Sequence, residues 1–249
     1  MARLKSLNGN HAGRFLQVAP SEKNLRLTNA QFEWAARLRL GLSVTHIDNP
    51  DTDSCNSCGI FRAYQDDRWH HLSCHSHSGE GIARHNGLTD IIEQHVRMTG
   101  TQSRKEPAKL AELGKSRPDL QIFCPMKDWL IDVSVTHPLC PSHRDAAAKQ
   151  SLDAAAKSAK IKDHKYQKMT EYQQATFSAF AVETLGGLHR SANKVINKIA
   201  SLAQDNLSIY CFSTIRQSLL DSIAIGNQRG TARMLTAASV NKRILRYRQ

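Results

Sequence analysis

The chain has 249 residues, 40% of them hydrophobic, which is enough for one large domain or two small ones with a buried core. Lys and Arg number 34 against 22 Asp and Glu, and the formal net charge of +12 points to a polyanionic partner, nucleic acid ahead of an anionic membrane surface. No run approaches the roughly 18 apolar residues that span a bilayer, and no apolar segment follows the basic start, so a soluble, intracellular protein is expected.

Residues 1–50 read as a mostly helical N-terminal segment, in which Phe32, Ala35, Ala36 and Leu40 share one helical face ahead of a stop at Gly41. Packing, not chemistry, is its expected role. Residues 51–80 are rich in Asp, Ser, Cys, His and Gly and carry too few apolar residues for a core, so an ion is expected to organise them. Cys55 and Cys58 are separated by two residues; eleven more precede His70, and three more precede Cys74. That order of soft and borderline ligands suits a tetrahedral structural zinc site, with Gly59 fitting the turn after the first pair. His71, His75 and His77 lie close enough to compete with His70 as the nitrogen ligand. The six cysteines, at 55, 58, 74, 124, 140 and 211, are clustered rather than spread, which favours metal binding over a disulfide framework.

From about residue 84 to 100, Leu88, Ile91, Ile92, His95 and Val96 recur at helical spacing before Gly100. Two β-rich runs, 117–123 and 129–136, are joined by a few residues containing Pro125 and Asp128 and read as a hairpin. Residues 142–174, Ala- and Lys-rich without Gly or Pro, predict one long helix. A third strand is predicted over 176–184, ended by Gly186 and Gly187, followed by helix and a strand near 207–212. The division expected is an N-terminal segment 1–50, a zinc knuckle 51–80, a core 81–215 and a basic C-terminal helical tail 216–249.

Asp119 opens the first run of the hairpin and Asp132 lies thirteen residues later inside the second. Crossing a short hairpin can set such positions side by side, where two carboxylates hold one hard divalent ion, Mg²⁺ or Mn²⁺. Such an ion polarises a phosphodiester and lowers the pKa of an attacking water. Asp132 sits among Leu130, Ile131, Val133 and Val135, so its carboxylate needs a partner if it is buried. Phosphodiester cleavage also calls for a cation near the scissile phosphate. The position two residues after the second acid, the usual place for a lysine in the broad restriction-like superfamily, is Ser134. Lys162 and Lys165, three apart on one face of the predicted helix, offer a substitute.

These residues together resemble a known family. The chain is similar to the C-terminal region of site-specific non-LTR retrotransposon (reverse transcriptase) proteins, in which a Cys-Cys-His-Cys knuckle precedes a restriction-like endonuclease that nicks target DNA. The matching features are Cys55, Cys58, His70 and Cys74; Arg84-His85-Asn86; Arg117-Pro118-Asp119; and the run from Asp132 to Pro138. They continue into Lys162-Asp163-His164-Lys165-Tyr166 and the run from Phe180 to Gly187. In that family the catalytic lysine comes from the helix beyond the second acid. The resemblance therefore implies that His70 completes the zinc site, that Asp119 and Asp132 bind the catalytic Mg²⁺ or Mn²⁺, and that Lys162 or Lys165 is the catalytic lysine. Arg84, His85 and Arg117 become candidate DNA contacts, the first two expected near a helix N-terminus, and Glu106 and Glu183 become auxiliary ligands. Family members carry a reverse transcriptase ahead of the knuckle; 54 residues precede Cys55 in this sequence, and none is expected among them.

The fold implied is α/β, a restriction-endonuclease-like core with a mixed central sheet flanked by helices. The expected function is divalent-metal-dependent endonucleolytic cleavage of DNA in the nucleus, with the RNA of a mobile element as a further partner. The alternative is a zinc-containing nucleic-acid-binding protein without catalysis, a fragment or degenerate copy of such an element.

Overall fold

The structure, a computed structural model, describes residues 1–42, 58, 70–74, 76, 78–107, 117–206 and 211–246. Its helices are α1 (Ala2–Leu7), α2 (Asn29–Leu40), α3 (Ser78–Met98), α4 (Pro141–Lys149), α5 (Asp153–Gln173), α6 (Arg190–Asn206) and α7 (Phe212–Arg246). Among the described residues four strands, β1 (Ser103–Lys105), β2 (Leu120–Ile122), β3 (Trp129–Thr136) and β4 (Thr176–Glu183), form one sheet in the order β1-β2-β3-β4. β1 and β2 are antiparallel, as are β2 and β3, whereas β3 and β4 are parallel and joined through α4 and α5. The expected α/β class with a mixed sheet and flanking helices is what forms.

Alternation along β3 sorts its side chains between two layers. Trp129, Ile131 and Val133 join Leu88, Ile92 and Val96 of α3 and Val195, Ile196 and Ile199 of α6 in the main core. Leu130 faces the other way and packs with Tyr166 and Met169 of α5. On β4, Phe180 and Val182 enter the main core, while Ala179 and Ala181 meet Ala155 and Ala159 of α5. Small residues on both sides let α5 lie close to the sheet, which brings its longer side chains within reach of the strands.

Several expectations shift. The face of α2 that packs is Ala35 and Leu38; Phe32 and Leu40 are exposed, although Gly41 does end the helix in the left-handed region at φ 69°. α3 begins at Ser78, six residues before the expected start at 84, so Arg84 and His85 lie in its second turn rather than at its N-terminus. The helix expected over 142–174 is two. It breaks at Leu152, whose φ of +61° costs about 1 kcal/mol or more in a residue with a Cβ. The side chain of Leu152 occupies the space over Gly9 and Gly187, where added Cβ atoms would lie 2.7 and 2.5 Å from its Cδ2. Of the strand expected near 207–212, residues 207–210 lie outside the described residues and Phe212 opens α7.

The expected tail is the largest difference. α7 crosses the boundary expected at 215/216 and buries Leu219, Leu220 and Ile223 in the main core. Farther along, Met234, Leu235 and Ala238 pack on Leu38 and Leu72, so the helix joins the main core to the N-terminal segment. Two of its buried side chains donate to backbone carbonyls, Asn227 to that of Glu183 at 3.0 Å and Gln228 to that of Thr184 at 3.5 Å. No described helix is long and apolar enough to cross a membrane.

Candidate active site and metal group

The residues of β3 that face α5 are Leu130, Asp132 and Ser134, and α5 answers each from one stripe spaced by four and three residues. Ser158 Oγ donates to Ser134 Oγ at 2.9 Å, Lys162 Nζ lies 2.5 Å from Asp132 Oδ2, and Tyr166 and Met169 cover Leu130. Tyr166 OH also reaches Asp132 Oδ1 at 2.5 Å and the Arg117 carbonyl at 2.6 Å, so its single proton serves two acceptors. Burial and the neighbouring Asp132 push the Tyr166 phenol far above its ordinary pKa, keeping it a donor. Asp132 is 2% exposed, and it meets the need foreseen for a buried carboxylate through one ammonium and one phenol.

Lys162 and Lys165 are thereby separated. Lys165 is exposed and its ammonium lies 4.9 Å from the centroid of the Tyr166 ring, on the outside of the helix. Ser134, on the same side of β3 as Asp132, is occupied with Ser158.

Leu120 pairs with Ile131, and continuing that register by one residue sets Asp119 opposite Asp132. Asp119 is just past the last paired residue of β2, where its Oδ2 accepts the Val133 backbone N–H at 2.6 Å. The same oxygen lies 2.9 Å from His85 Nε2. Hydrogen bonding to Asp119 raises the pKa of His85 to about 9 against the opposing effect of burial, so the ring is an imidazolium at neutral pH. On the far side of Asp119, Lys105 pairs with Leu120, and the next residue, Glu106, donates its N–H to the Asp119 carbonyl at 3.0 Å. Glu106, Asp119 and Asp132 thus occupy one row across three neighbouring strands. Glu106 is exposed, with Arg117 Nη1 3.9 Å from its carboxylate.

Oxygen donors on adjacent strands are the kind of set a hard divalent cation takes. Asp119 and Asp132 lie in register on this row, with Glu106 exposed at its rim; among the described residues the group of three ligand side chains that closes within 4.8 Å is Cys58, His70 and Cys74, described below. Glu183 is elsewhere: it pairs with Thr136 in register, four residues along β4 from the partner of Asp132. It is fully buried beside Ser6 Oγ, which donates to it, and burial raises its pKa while the Ala154 and Ala155 N–H groups at the start of α5 lower it.

The proposed DNA contacts separate likewise. Arg117 is exposed beside the acids, and His85 is engaged with Asp119. Arg84 is 7% exposed and turned to α7, where its Nη1 donates to Thr231 Oγ1 at 3.3 Å. Being within α3, neither Arg84 nor His85 offers a free helix-terminal N–H, so the helix-terminus role expected for them has no geometric basis.

Cys58, His70 and Cys74 bring their ligand atoms within 4.8 Å of one another, and Cys58 Sγ lies 3.1 Å from His70 Nε2. This group could hold a metal ion such as zinc. His71 is buried but outside the group; Cys55, His75 and His77 lie outside the described residues. A single 3-10 turn, His70–Leu72, aims Leu72 at Met234 and Leu235, so the metal group is fastened to α7 by apolar contact.

Sequence reasoning missed the role of Tyr166, although its position one turn after Lys162 carried the signal. It also passed over His137, 5% exposed, whose Nδ1 bonds Thr184 Oγ1 at 2.8 Å. Burial, with the charges of Arg84, His143 and His70 adding, lowers the His137 pKa to about 3. No protein-family model matches the chain, and a search of curated proteins finds no match either.

Proposed function

We propose that the protein is a divalent-metal-dependent DNA endonuclease with a restriction-like core and a zinc knuckle completed by Cys55. The observation that carries this reading is the approach of Lys162 to Asp132 from α5 rather than from β3. A lysine supplied by the helix, next to a buried carboxylate in register with a second one, is the arrangement the family resemblance implies. The surplus of positive charge supports a polyanionic substrate.

Asp119 and Asp132 would hold Mg²⁺ or Mn²⁺, which when bound supplies a water of lowered pKa and a polarised phosphodiester. Tyr166 fixes the Asp132 carboxylate from the opposite oxygen to Lys162. His85 and the Val133 N–H fix Asp119 in the same way. Lys162, partly buried beside the acids, is the cation that offsets charge on the phosphoryl oxygens in the transition state. Zinc has no chemical part; it orders the segment that Leu72 anchors on α7.

The test is nicking of supercoiled plasmid by the zinc-loaded protein with Mg²⁺. Wild type converts it to open circle, Lys162→Ala does so far more slowly, and Asp132→Ala does not. Equal conversion by wild type and Asp132→Ala overturns the nuclease, and salt-sensitive retention of DNA without nicking leaves the binding-protein alternative.

A further inference from the structure

α3 and α7 line a cavity of about 420 Å³ that opens to solvent, with Gly79, Glu80, Arg84, Gly87, Arg229 and Arg233 in its walls. Two glycines on the α7 side are explained by the crossing of the helices. A Cβ at Gly226 would lie 2.5 Å from Ile91 Cδ1, and one at Gly230 would lie 2.4 Å from Arg84 Cγ. Gly79 and Gly87 have no such reason, since a Cβ at either would meet nothing within 4 Å. A glycine within a helix costs about 1 kcal/mol relative to alanine, and at Gly87 no packing offsets that cost. What Gly87 does is leave open space inside the cavity.

The charges around that space do not balance. Arg84 stacks its stem on Gly230 and makes one long hydrogen bond to Thr231, while its Nε is buried without an acceptor. No described carboxylate pairs with it. Arg229 spends Nη2 on the carbonyls of Asn24 and Arg26, and burial and the nearby Arg233 both lower its pKa. Arg233 is exposed and makes no ion pair among the described residues; Glu80 is the single acid in the lining. Three guanidinium groups gathered about one carboxylate, one of them buried, are stabilised by an anion with several acceptor oxygens, and their forked donors match phosphate geometry.

We infer that the cavity between α3 and α7 is a phosphate site, in which Arg84, Arg229 and Arg233 hold a backbone phosphate of the polynucleotide whose cleavage is assigned to the acid row. The identity of the anion rests on the nuclease reading. α3 is the shared wall: His85 addresses Asp119 and Arg84, one residue earlier, addresses the cavity. One nucleic acid running along α3 would be held at this cavity while a separate phosphate is presented to the acids. The cavity supplies affinity without reading sequence.

The experiment is binding of fluorescein-labelled duplexes of two unrelated sequences to the full, zinc-loaded chain in Ca²⁺ buffer, followed by anisotropy over a range of salt. Gly87→Glu places a carboxylate in the open space and replaces glycine with a better helix former, so its melting temperature should equal or exceed that of wild type. Gly87→Glu and Arg233→Ala should each raise Kd roughly tenfold for both duplexes, and the log-log salt slope should fall by about 1. Gly87→Gln should bind more tightly than Gly87→Glu, and Gln17→Glu, the same charge change at an exposed site, should bind like wild type. Unchanged affinity and slope in a folded Gly87→Glu overturn the inference. Calorimetry with inorganic phosphate provides the second arm. Phosphate binding that Gly87→Glu abolishes, with duplex affinity untouched, overturns the polynucleotide and leaves a small phosphate compound. If Gly87→Glu loses duplex affinity while Asp132→Ala nicks as well as wild type, the nuclease reading fails and the phosphate site stands.

Discussion

The two faces of β3 are built on one backbone and behave as different materials. Toward α3 and α6 the strand presents Trp129, Ile131 and Val133 to a deep apolar cluster that three helices and three strands share. Toward α5 it presents Leu130, Asp132 and Ser134 to a single helix whose contact stripe alternates alanine with polar residues. Stability is concentrated on the first face. The second tolerates a buried carboxylate because Lys162 and Tyr166 each engage one of its oxygens. A one-residue step along the strand therefore moves a substitution from the energetics of packing to the chemistry of the site.

The sharpest way to break this comparison is to substitute neighbours. Asp132→Ala should reduce nicking at least about 1,000-fold, with the chain still folded, since it removes a carboxylate proposed to hold the metal. Ile131→Ala should cost about 2–5 kcal/mol in chemical denaturation and leave nicking per folded molecule near wild type. Reversed outcomes, a stability loss at 132 and a chemical loss at 131, would dissolve the division between the faces.

Lys162→Ala and Lys165→Ala test the α5 side of the same face. Removing the ammonium beside Asp132 should lower the nicking rate about 100-fold, whereas removing the exposed Lys165 should change it by no more than about twofold. The phase of the helix separates them: Lys162 lies on the stripe with Ser158 and Tyr166, and Lys165 does not. Tyr166→Phe should be milder. It deletes one hydrogen bond to Asp132 and leaves the ring stacked on Phe177, so stability should fall by about 1–2 kcal/mol and nicking about tenfold. Tyr166 acts through Asp132, and a higher Mg²⁺ concentration for half-maximal nicking in Tyr166→Phe distinguishes positioning from simple loss of packing.

What could be read in the sequence follows from how local each signal is. The hairpin was legible because two β-rich runs flank a short polar turn, and the pairing of Asp119 with Asp132 follows from counting residues across it. β1 was not, since Ser103-Arg104-Lys105 has no strand-like composition and pairs only because β2 offers an edge. The break at Leu152 was hidden because the glycines that make it tolerable, Gly9 and Gly187, are distant in sequence. α7 read as a basic tail because Asn227, Gln228 and Thr231 look like surface residues, and they are buried against partners that local patterning does not reveal. In the site, ligand types at Cys58, His70 and Cys74 and the acid spacing were visible. The separate placement of the two lysines needed the helix phase relative to β3, and the direction of Arg84 needed the position of α7.

The end of β3 offers the gentlest probe, because His137 lies just beyond the point where the two faces separate and is buried beside Thr184. Its folded pKa of about 3 is below the ordinary value of 6.5, so as pH falls the unfolded chain takes up the proton first. Stability from the neutral ring is fully present above about pH 6.5 and is lost as pH falls toward 3, by up to about 1.4 kcal/mol per pH unit. His137→Gln has no such proton to bind. The difference in unfolding free energy between wild type and His137→Gln should therefore shrink between pH 6 and pH 4. Both proteins are compared at the same metal loading, because His70 of the Cys58, His70 and Cys74 group is among the charges that act on His137. A difference that is flat over that range would mean that the ring is protonated in the folded state, and that the end of β3 is open to water on one side.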